Sequence, residues 1–389
     1  MSTFHIHFTF SENSGEIRRI KNINVDLAQE LSQPVYEIAF VSVQNFLKYK
    51  KSKFKLHDKI HKKYYFPVLP LSYGNWFVKR LNAYWCSFWV LMLWIIYKPQ
   101  FAVAEFSIGW QAMRFLPKSV DCIIDVHGAT REEYEYAIPN YDRKLAETFD
   151  YLEEHGMRKA KFITCQSEAM KKYLLAKYPF LSADNIYPYK CGADKDLFYI
   201  DEVERKNIRD TLGVGTDEQL FIYSGGLHKW QRIEDSIKLF VDYSVGKKAK
   251  FLILTLDKVG AKKLISNYDS ETQRKFIIMS ATNKEVYKYL NAADIAFLLR
   301  DDVVLNRVAS PTKLAEYMFC GLPIITTSVS DWWIYDKSIV FNIDRQSISE
   351  IGTFIANSNR KKIAEYAHKN LSIECDRKNI NALLNEARK

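Results

Sequence analysis

Short apolar runs rich in β-branched and aromatic residues alternate with stretches in helical spacing along most of the chain. Val35–Val43, Ala102–Phe106, Cys122–Val126 and Lys161–Cys165 read as strands, and Ser167–Tyr178 as a helix with Ser167 as its N-cap. The pattern breaks around Cys191–Val214, where CGADKDLF has turn chemistry and IDEVERKNIRDTLGV reads as a short solvated helix. A second series follows: Leu220–Ser224, Phe251–Leu256, Lys275–Met279, Ile295–Leu299 and Leu322–Thr327 as strands, with Ile233–Tyr243 and Lys284–Ala292 as helices. Strands spaced by helices predict βαβ units and parallel sheets, an α/β protein. At 389 residues two cores are expected rather than one, divided near residue 195. No internal repeat or low-complexity tract interrupts the series.

One run stands outside this alternation. Ala83–Tyr97 is apolar over fifteen residues, short of the roughly 20 that a spanning helix needs. A buried helix is the expectation, with an interfacial one as the alternative. The net charge of +10 is unevenly placed, and Lys48–Lys63 holds eight lysines and one acid. Such a block is most often a solvated loop or helix face; contact with an anionic membrane is the next reading. A nucleic-acid partner is not expected, since no binding module accompanies the charge. The six cysteines are far apart without a CxxC pair, which argues against zinc and disulfide frameworks and fits a reducing compartment. Met1–Phe10 lacks the basic and apolar regions of a secretory signal. A cytoplasmic protein, peripheral on the inner face of the membrane, is the expectation.

Four segments carry candidate chemistry. In Ser310–Gly321, Ser310 suits an N-cap, Pro311 the first helical position and Gly321 the C-terminal stop. Thr312, Lys313 and Glu316 then share the first turns of one helix. Its free N–H groups and dipole attract a phosphate, Lys313 adds charge, and Glu316 can accept from vicinal sugar hydroxyls. An ordinary capped helix with a surface Lys–Glu pair explains the segment equally well. In Phe221–Ile237 a strand runs into Gly225-Gly226, followed by His228, Lys229 and Arg232, a pattern that lets a phosphate approach the backbone among cations. In Asp121–Glu133, His127 follows a strand directly, with Glu132 and Glu133 close behind on the acceptor side. Ser14-Gly15 lies between the first strand and a basic helix start, where it can meet a donor phosphate or an acceptor.

Together these segments resemble the retaining glycosyltransferases of family 4, of the bacterial surface-polysaccharide type. The resemblance rests on TCQSEAM (Thr164–Met170), CGADKDLF (Cys191–Phe198), YLNAADIAFLLR (Tyr289–Arg300), SPTKLAEYMFCGLPII (Ser310–Ile325) and DVHG (Asp125–Gly128). It implies the GT-B fold, two Rossmann-like domains facing a central cleft. Residues 1–195 would bind the acceptor and 196–365 the nucleotide sugar, and a C-terminal helix over 366–389 would return toward the first domain. It further implies retention of configuration without a cofactor or metal, domain closure about a hinge near Gly192, and a donor that is by default a UDP-sugar. A glycan or lipid-linked molecule would be the acceptor. Glu316 would hold the ribose. Lys229, Lys313 and the amides after Ser310 would face the diphosphate, His127 the transferred sugar, and Gly15 the phosphates.

Two positions depart from the family pattern. Val308 stands where a second glutamate is usual, and Gly226 where an arginine usually follows the first glycine. Arg232, Arg300 and Arg307 are the candidates to supply the missing contacts. A sugar-nucleotide epimerase on the same fold and a non-catalytic nucleotide-sugar-binding scaffold subunit are the alternatives.

Overall fold

The computed structural model describes residues 2–9, 34–43, 46, 61–69, 75–189, 191–329, 338–375 and 378. Gly15, most of Lys48–Lys63 and the end of the expected C-terminal helix lie outside the described residues. The chain divides into two compact units that meet in sequence between Tyr189 and Lys190.

Unit 1 contains β1 (Thr3–Thr9), β2 (Val35–Ser42), β3 (His61–Val68), α1 (Trp76–Tyr97), β4 (Phe101–Glu105), α2 (Phe106–Ala112) and β5 (Asp121–Val126). It continues with α3 (Thr130–Ala137), α4 (Arg143–Lys159), β6 (Phe162–Cys165), α5 (Glu168–Lys177) and β7 (Ile186–Pro188). Its sheet is parallel in the order β3-β2-β1-β4-β5-β6-β7. A parallel sheet covered on both faces needs strands that are apolar throughout, and β4 is buried at every position. β3 was not anticipated, because its first residues sit in the basic run. It is an edge strand, which is why it tolerates Pro67.

Unit 2 contains α6 (Glu202–Leu212), β8 (Gln219–Ser224), α7 (Ile233–Tyr243), β9 (Ala249–Leu254), α8 (Lys258–Ile265), α9 (Ser270–Gln273), β10 (Phe276–Met279) and α10 (Val286–Ala292). β11 (Ile295–Leu298), α11 (Val304–Arg307), α12 (Thr312–Phe319), β12 (Ile324–Thr326), β13 (Val340–Asn342), α13 (Ile351–Asn357) and α14 (Arg360–Asn370) complete it. Its parallel sheet runs β10-β9-β8-β11-β12-β13. The packed rings of Phe221, Phe240, Phe251 and Phe297 fill one side of this sheet, and Leu314, Met318 and Phe319 of α12 pack on the other. In each unit the strand order reverses beside the first strand, at β1/β4 and at β8/β11. That reversal opens a crevice at the carboxyl ends of the strands, where doubly wound folds bind ligands.

Two local expectations are corrected. α1 spans 22 residues, and only one stripe of it (Ala83, Cys86, Val90, Leu93) is buried. The start is set by Asn75, whose side chain accepts from the amides of Phe77 and Val78. Phe77, Leu81, Tyr84, Trp85, Phe88, Ile95 and Ile96 face outward, so this is not the buried helix the sequence favours. A run apolar on all sides does not reveal which side is covered. The second correction concerns α12. Its cap is Pro311 rather than Ser310, and no side chain caps it. Ser310 Oγ instead accepts from the amide of Cys191 at 3.2 Å.

The end of α12 follows the expected pattern. Gly321 has φ 73°, its amide reaches Met318 O and the Leu322 amide reaches Tyr317 O, the two bonds of a Schellman stop. A Cβ on Gly321 would lie 2.8 Å from the Arg360 carbonyl oxygen, whereas one on Gly213 (φ 62°) meets nothing within 4 Å. Both pay the left-handed strain, and only Gly321 adds a clash with backbone. Gly321→Ala is expected to destabilise unit 2 by roughly 2–3 kcal/mol and Gly213→Ala by about 1 kcal/mol. Denaturant midpoints of the two variants compare them; equal losses would remove the clash argument.

Candidate functional site

The site in unit 2 is built where β8 ends. Gly225 adopts φ 142°, and a Cβ there would sit 2.0 Å from Lys313 Nζ. The glycine therefore admits the Lys313 side chain, which crosses from the first turn of α12 onto the end of β8. Lys313 Nζ donates to Gln231 Oε1 at 2.6 Å and lies 4.9 Å from the centre of the Tyr223 ring. The Tyr223 hydroxyl is in hydrogen-bond contact with Gln231 Oε1 and the Gly226 carbonyl. Tyr317, fully buried one turn along α12, accepts from the Ser224 amide at 3.0 Å and so ties the helix to the strand.

Arg300 enters from the end of β11. Its backbone is held by Thr327, whose hydroxyl accepts from the Arg300 amide at 3.1 Å and donates to its carbonyl at 3.0 Å. The residue is 6% exposed, and its Nη1 has no hydrogen-bond partner among the described residues. Neither Arg300 nor Lys313 makes a salt bridge among those residues. Burial pushes the Arg300 guanidinium below its ordinary value. Burial first, and the Arg300 charge second, push the Lys313 ammonium down to about 7, opposed by Glu316. On the other side of Gly225 opens a concavity of about 470 Å³. Ser224–His228, Leu254–Asp257, Ala281, Asn283 and Val286 line it, all at the carboxyl ends of β8, β9 and β10 or just beyond.

The other cations proposed from sequence have different surroundings. Arg232 holds φ 49° and pairs with Asp235 at 2.6 Å and, more loosely, with Asp301. Arg307 is exposed and paired with Asp302 at 2.5 Å. Lys229 is exposed in the turn before α7, and Thr312 is exposed on α12. So Arg300, Lys313, Gly225 and Gly226 come together with Glu316 one turn below Lys313. Lys229, Arg232 and Arg307 do not join this group. Val308 is packed at 3% exposure. Gln231, Tyr223 and Tyr317 were missed, because a glutamine and two tyrosines in apolar segments carry no charge pattern to mark them.

Unit 1 carries a second cluster, under the ends of β1, β4 and β5. His127 Nε2 lies 3.1 Å from both Glu105 Oε2 and Asp125 Oδ2. The other Glu105 oxygen meets His5 Nε2 at 3.0 Å. Asp125 also accepts from the hydroxyls of Tyr189, at 2.6 Å, and Thr164, at 2.8 Å. Beside them Glu37 meets His7 Nε2 at 2.8 Å and Lys63 Nζ at 2.6 Å. Against the cost of burial, the His127 and His5 contacts hold the Glu105 carboxyl well below the usual range. Burial lowers His7 despite Glu37. Glu105, Asp125 and His127 bring one ligand atom each within 4.8 Å of one another, and their 3.1 Å contacts are those of an imidazole shared by two carboxylates.

His127 thus follows its strand as the sequence predicts, while its partners went unread. Glu37 and Glu105 inside apolar strands, and two histidines at alternate positions of β1, were the available signal. Glu132 belongs elsewhere, in a network with Tyr173 and Lys177. Glu133 is exposed near Gly128.

Comparison with known proteins agrees with this architecture. Residues 204–334 match the family model described as glycosyl transferases group 1. No curated protein matches the chain by sequence. Among solved structures, sucrose-phosphate synthase from Thermosynechococcus elongatus superposes with a TM-score of 0.73 at 13% identity, over 100% of this chain and 99% of that one. HepE of Anabaena, solved with UDP, gives 0.67 at 11% identity, over 99% and 100%. The lipopolysaccharide outer core galactosyltransferase WaaB gives 0.67 at 13% identity, over 100% of both chains. The fold is GT-B. The residues matched by the glycosyl transferases group 1 model all lie in unit 2.

The unit 1 cluster has a checkable energetic signature. Glu105 has a depressed folded value, so its stabilisation is present above the unfolded glutamate value of about 4.3 and is lost as pH falls below it. Glu105→Gln leaves two histidines without their shared anion and is expected to cost roughly 3 kcal/mol at neutral pH. The gap to the parent protein should narrow below about pH 4.3 in denaturant titrations. A gap that is unchanged with pH would deny the carboxylate this role.

Proposed function

We propose that the chain is a glycosyltransferase that moves a sugar from a nucleotide-sugar donor to a glycan or lipid-linked acceptor in bacterial surface-polysaccharide synthesis. The observation that carries this reading is the pairing of buried Arg300 with half-buried Lys313 at the end of β8, lacking a carboxylate salt bridge among the described residues. Two basic groups withdrawn from water beside a glycine-lined strand end are a poor way to stabilise a fold and a good way to bind a diphosphate. The adjoining 470 Å³ concavity has room for a nucleoside. Glu316, one turn further along α12, is read as the acceptor for the ribose hydroxyls. HepE, of the same fold, was solved with UDP, which supports a UDP-sugar here.

In this reading the leaving diphosphate develops charge as the glycosidic bond breaks, and Arg300 and Lys313 are already in place to meet it. Such preorganised donors stabilise the transition state without reorganising. The acceptor hydroxyl attacks on the face the diphosphate leaves, and configuration is retained. His127 is assigned to orienting the transferred sugar, its Nε2 being committed to Glu105 and Asp125. The reaction is read as independent of a metal.

The exposed side chains of α1 support contact with a membrane surface, in keeping with a lipid-linked acceptor. Seven large apolar residues face outward on a helix that contains no acidic residue. Among the described residues no helix is long and apolar enough to cross a membrane, so α1 would lie in the interface.

Two measurements test the reading. In thermal-shift and binding assays against UDP-, GDP- and ADP-sugars, one donor should stabilise the protein in proportion to the logarithm of its excess. Arg300→Met should weaken that donor by roughly 10–100-fold, as expected for hydrogen bonds to a charged group. It should leave the empty protein as stable as the parent or more so, because it removes an uncompensated buried charge. An unstable Arg300→Met protein with normal donor affinity would make the residue structural. Product analysis with donor alone separates transfer from epimerisation. For the membrane, flotation with anionic vesicles should recover the chain, and Trp85→Glu/Phe88→Glu should abolish recovery; equal recovery of both would dismiss α1 as the contact.

A further inference from the structure

Buried Arg300 and half-buried Lys313 differ in what loss of solvent can do to them. A guanidinium stays charged in any protein environment, whereas a lysine set down beside a fixed positive charge can lose its proton. The groups that face Lys313 among the described residues are few. Its own helix supplies Glu316 and Tyr317, the end of β8 supplies Tyr223, the segment after β11 supplies Arg300, and the turn before α7 supplies the uncharged amide of Gln231. Burial pushes the hydroxyls of Tyr223 and Tyr317 up, so both stay neutral. Only Glu316 favours the ammonium, against burial and Arg300. The Nζ of the empty site is meanwhile satisfied by a side-chain amide at 2.6 Å, a partner that asks for no charge.

We propose that Lys313 is a proton-linked switch of the phosphate site: a neutral amine on Gln231 when the site is empty, and an ammonium when a nucleoside diphosphate lies beside Arg300. Each nucleotide bound above neutral pH therefore brings one solvent proton to Nζ, and its departure releases it. The inference rests on the reading that this site takes the donor diphosphate. Gly225 makes the exchange feasible, since the side chain reaches the site only across a residue without a Cβ. The sign follows from linkage. The free amine titrates near neutrality and the bound one higher, so the association constant is level below the free value. Above it, the constant falls about tenfold per pH unit until the bound value is passed.

Calorimetry on the intact chain tests this with UDP, GDP and ADP at about pH 8, where a nucleoside diphosphate has no proton left to give or take. Titrations in Tris and in Hepes, which differ in ionisation enthalpy, count the protons. The expected result is an uptake of about one proton per nucleotide, with affinity falling more than about tenfold between about pH 7 and 8.5. Lys313→Arg, which cannot give up its proton, should bind with no uptake and a flat pH profile. Should that variant fold poorly, Glu316→Gln serves instead. It removes the one opposing anion, so the break in the pH profile should move to lower pH whatever the affinity. Binding without buffer dependence in the parent chain overturns the switch and leaves the donor reading intact. Uptake that persists in Lys313→Arg places the proton elsewhere and also overturns it. Failure of all three nucleotides to bind at about pH 6.5 would remove the donor reading and the switch together.

Discussion

Unit 2 is organised around two basic side chains that no carboxylate salt bridge neutralises among the described residues. Arg300 and Lys313 approach from different elements, and the atoms around them are apolar or uncharged except for Glu316. The rest of the unit shows that the fold can satisfy arginines that are buried or half-buried. Arg205, Arg209 and Arg360 converge on the carbonyls that end α10, at Asn291, Ala292 and Ala293, and Asp294 pairs with the first two. There the cations meet the negative end of a helix, and the arrangement is stabilising. At the β8 terminus nothing of the kind is supplied among the described residues. The contrast within one domain is the reason to assign Arg300 and Lys313 to a ligand rather than to the fold.

Unit 1 follows the opposite rule. Its buried carboxylates, Glu37, Glu105, Asp125 and Glu153, each have imidazole, ammonium or hydroxyl partners within hydrogen-bond distance. Such a compensated cluster contributes orientation more than stability, since desolvation offsets most of the attraction. It holds the His127 ring from one side, through Nε2. The two clusters occupy equivalent places in their sheets, beside the first strand where the order reverses, and one is electrostatically complete while the other is not.

Much of this was legible from the order of residues, and the limits are instructive. α7 has the bounds its apolar spacing predicts, and Ser167 caps α5 by accepting from the Met170 amide at 2.9 Å. Both rest on local rules of period and capping. Ser310 obeys the same rule on paper, yet its hydroxyl is taken by Cys191, 119 positions away. Similarly Arg232, Arg300 and Arg307 are equivalent as letters. The first and last pair with carboxylates three and five residues away, whereas Arg300, with Asp301 and Asp302 next to it in sequence, is turned inward and keeps an unpartnered nitrogen. α1 shows a further limit, because an apolar run records that burial is wanted but not which face receives it.

The alternation along β1 has a consequence for how the sequence can drift. Phe4 and Ile6 are buried on one face, and His5 and His7 are buried on the other. On the first face a replacement is a matter of volume, and aliphatic exchanges cost little when the total is kept. On the second, losing one member strands a partner's charge, whereas changing the whole group to apolar residues can be nearly neutral. Positions 5, 105, 125 and 127, and likewise 7, 37 and 63, are therefore constrained to covary as blocks across lineages, while their neighbours one residue away wander independently.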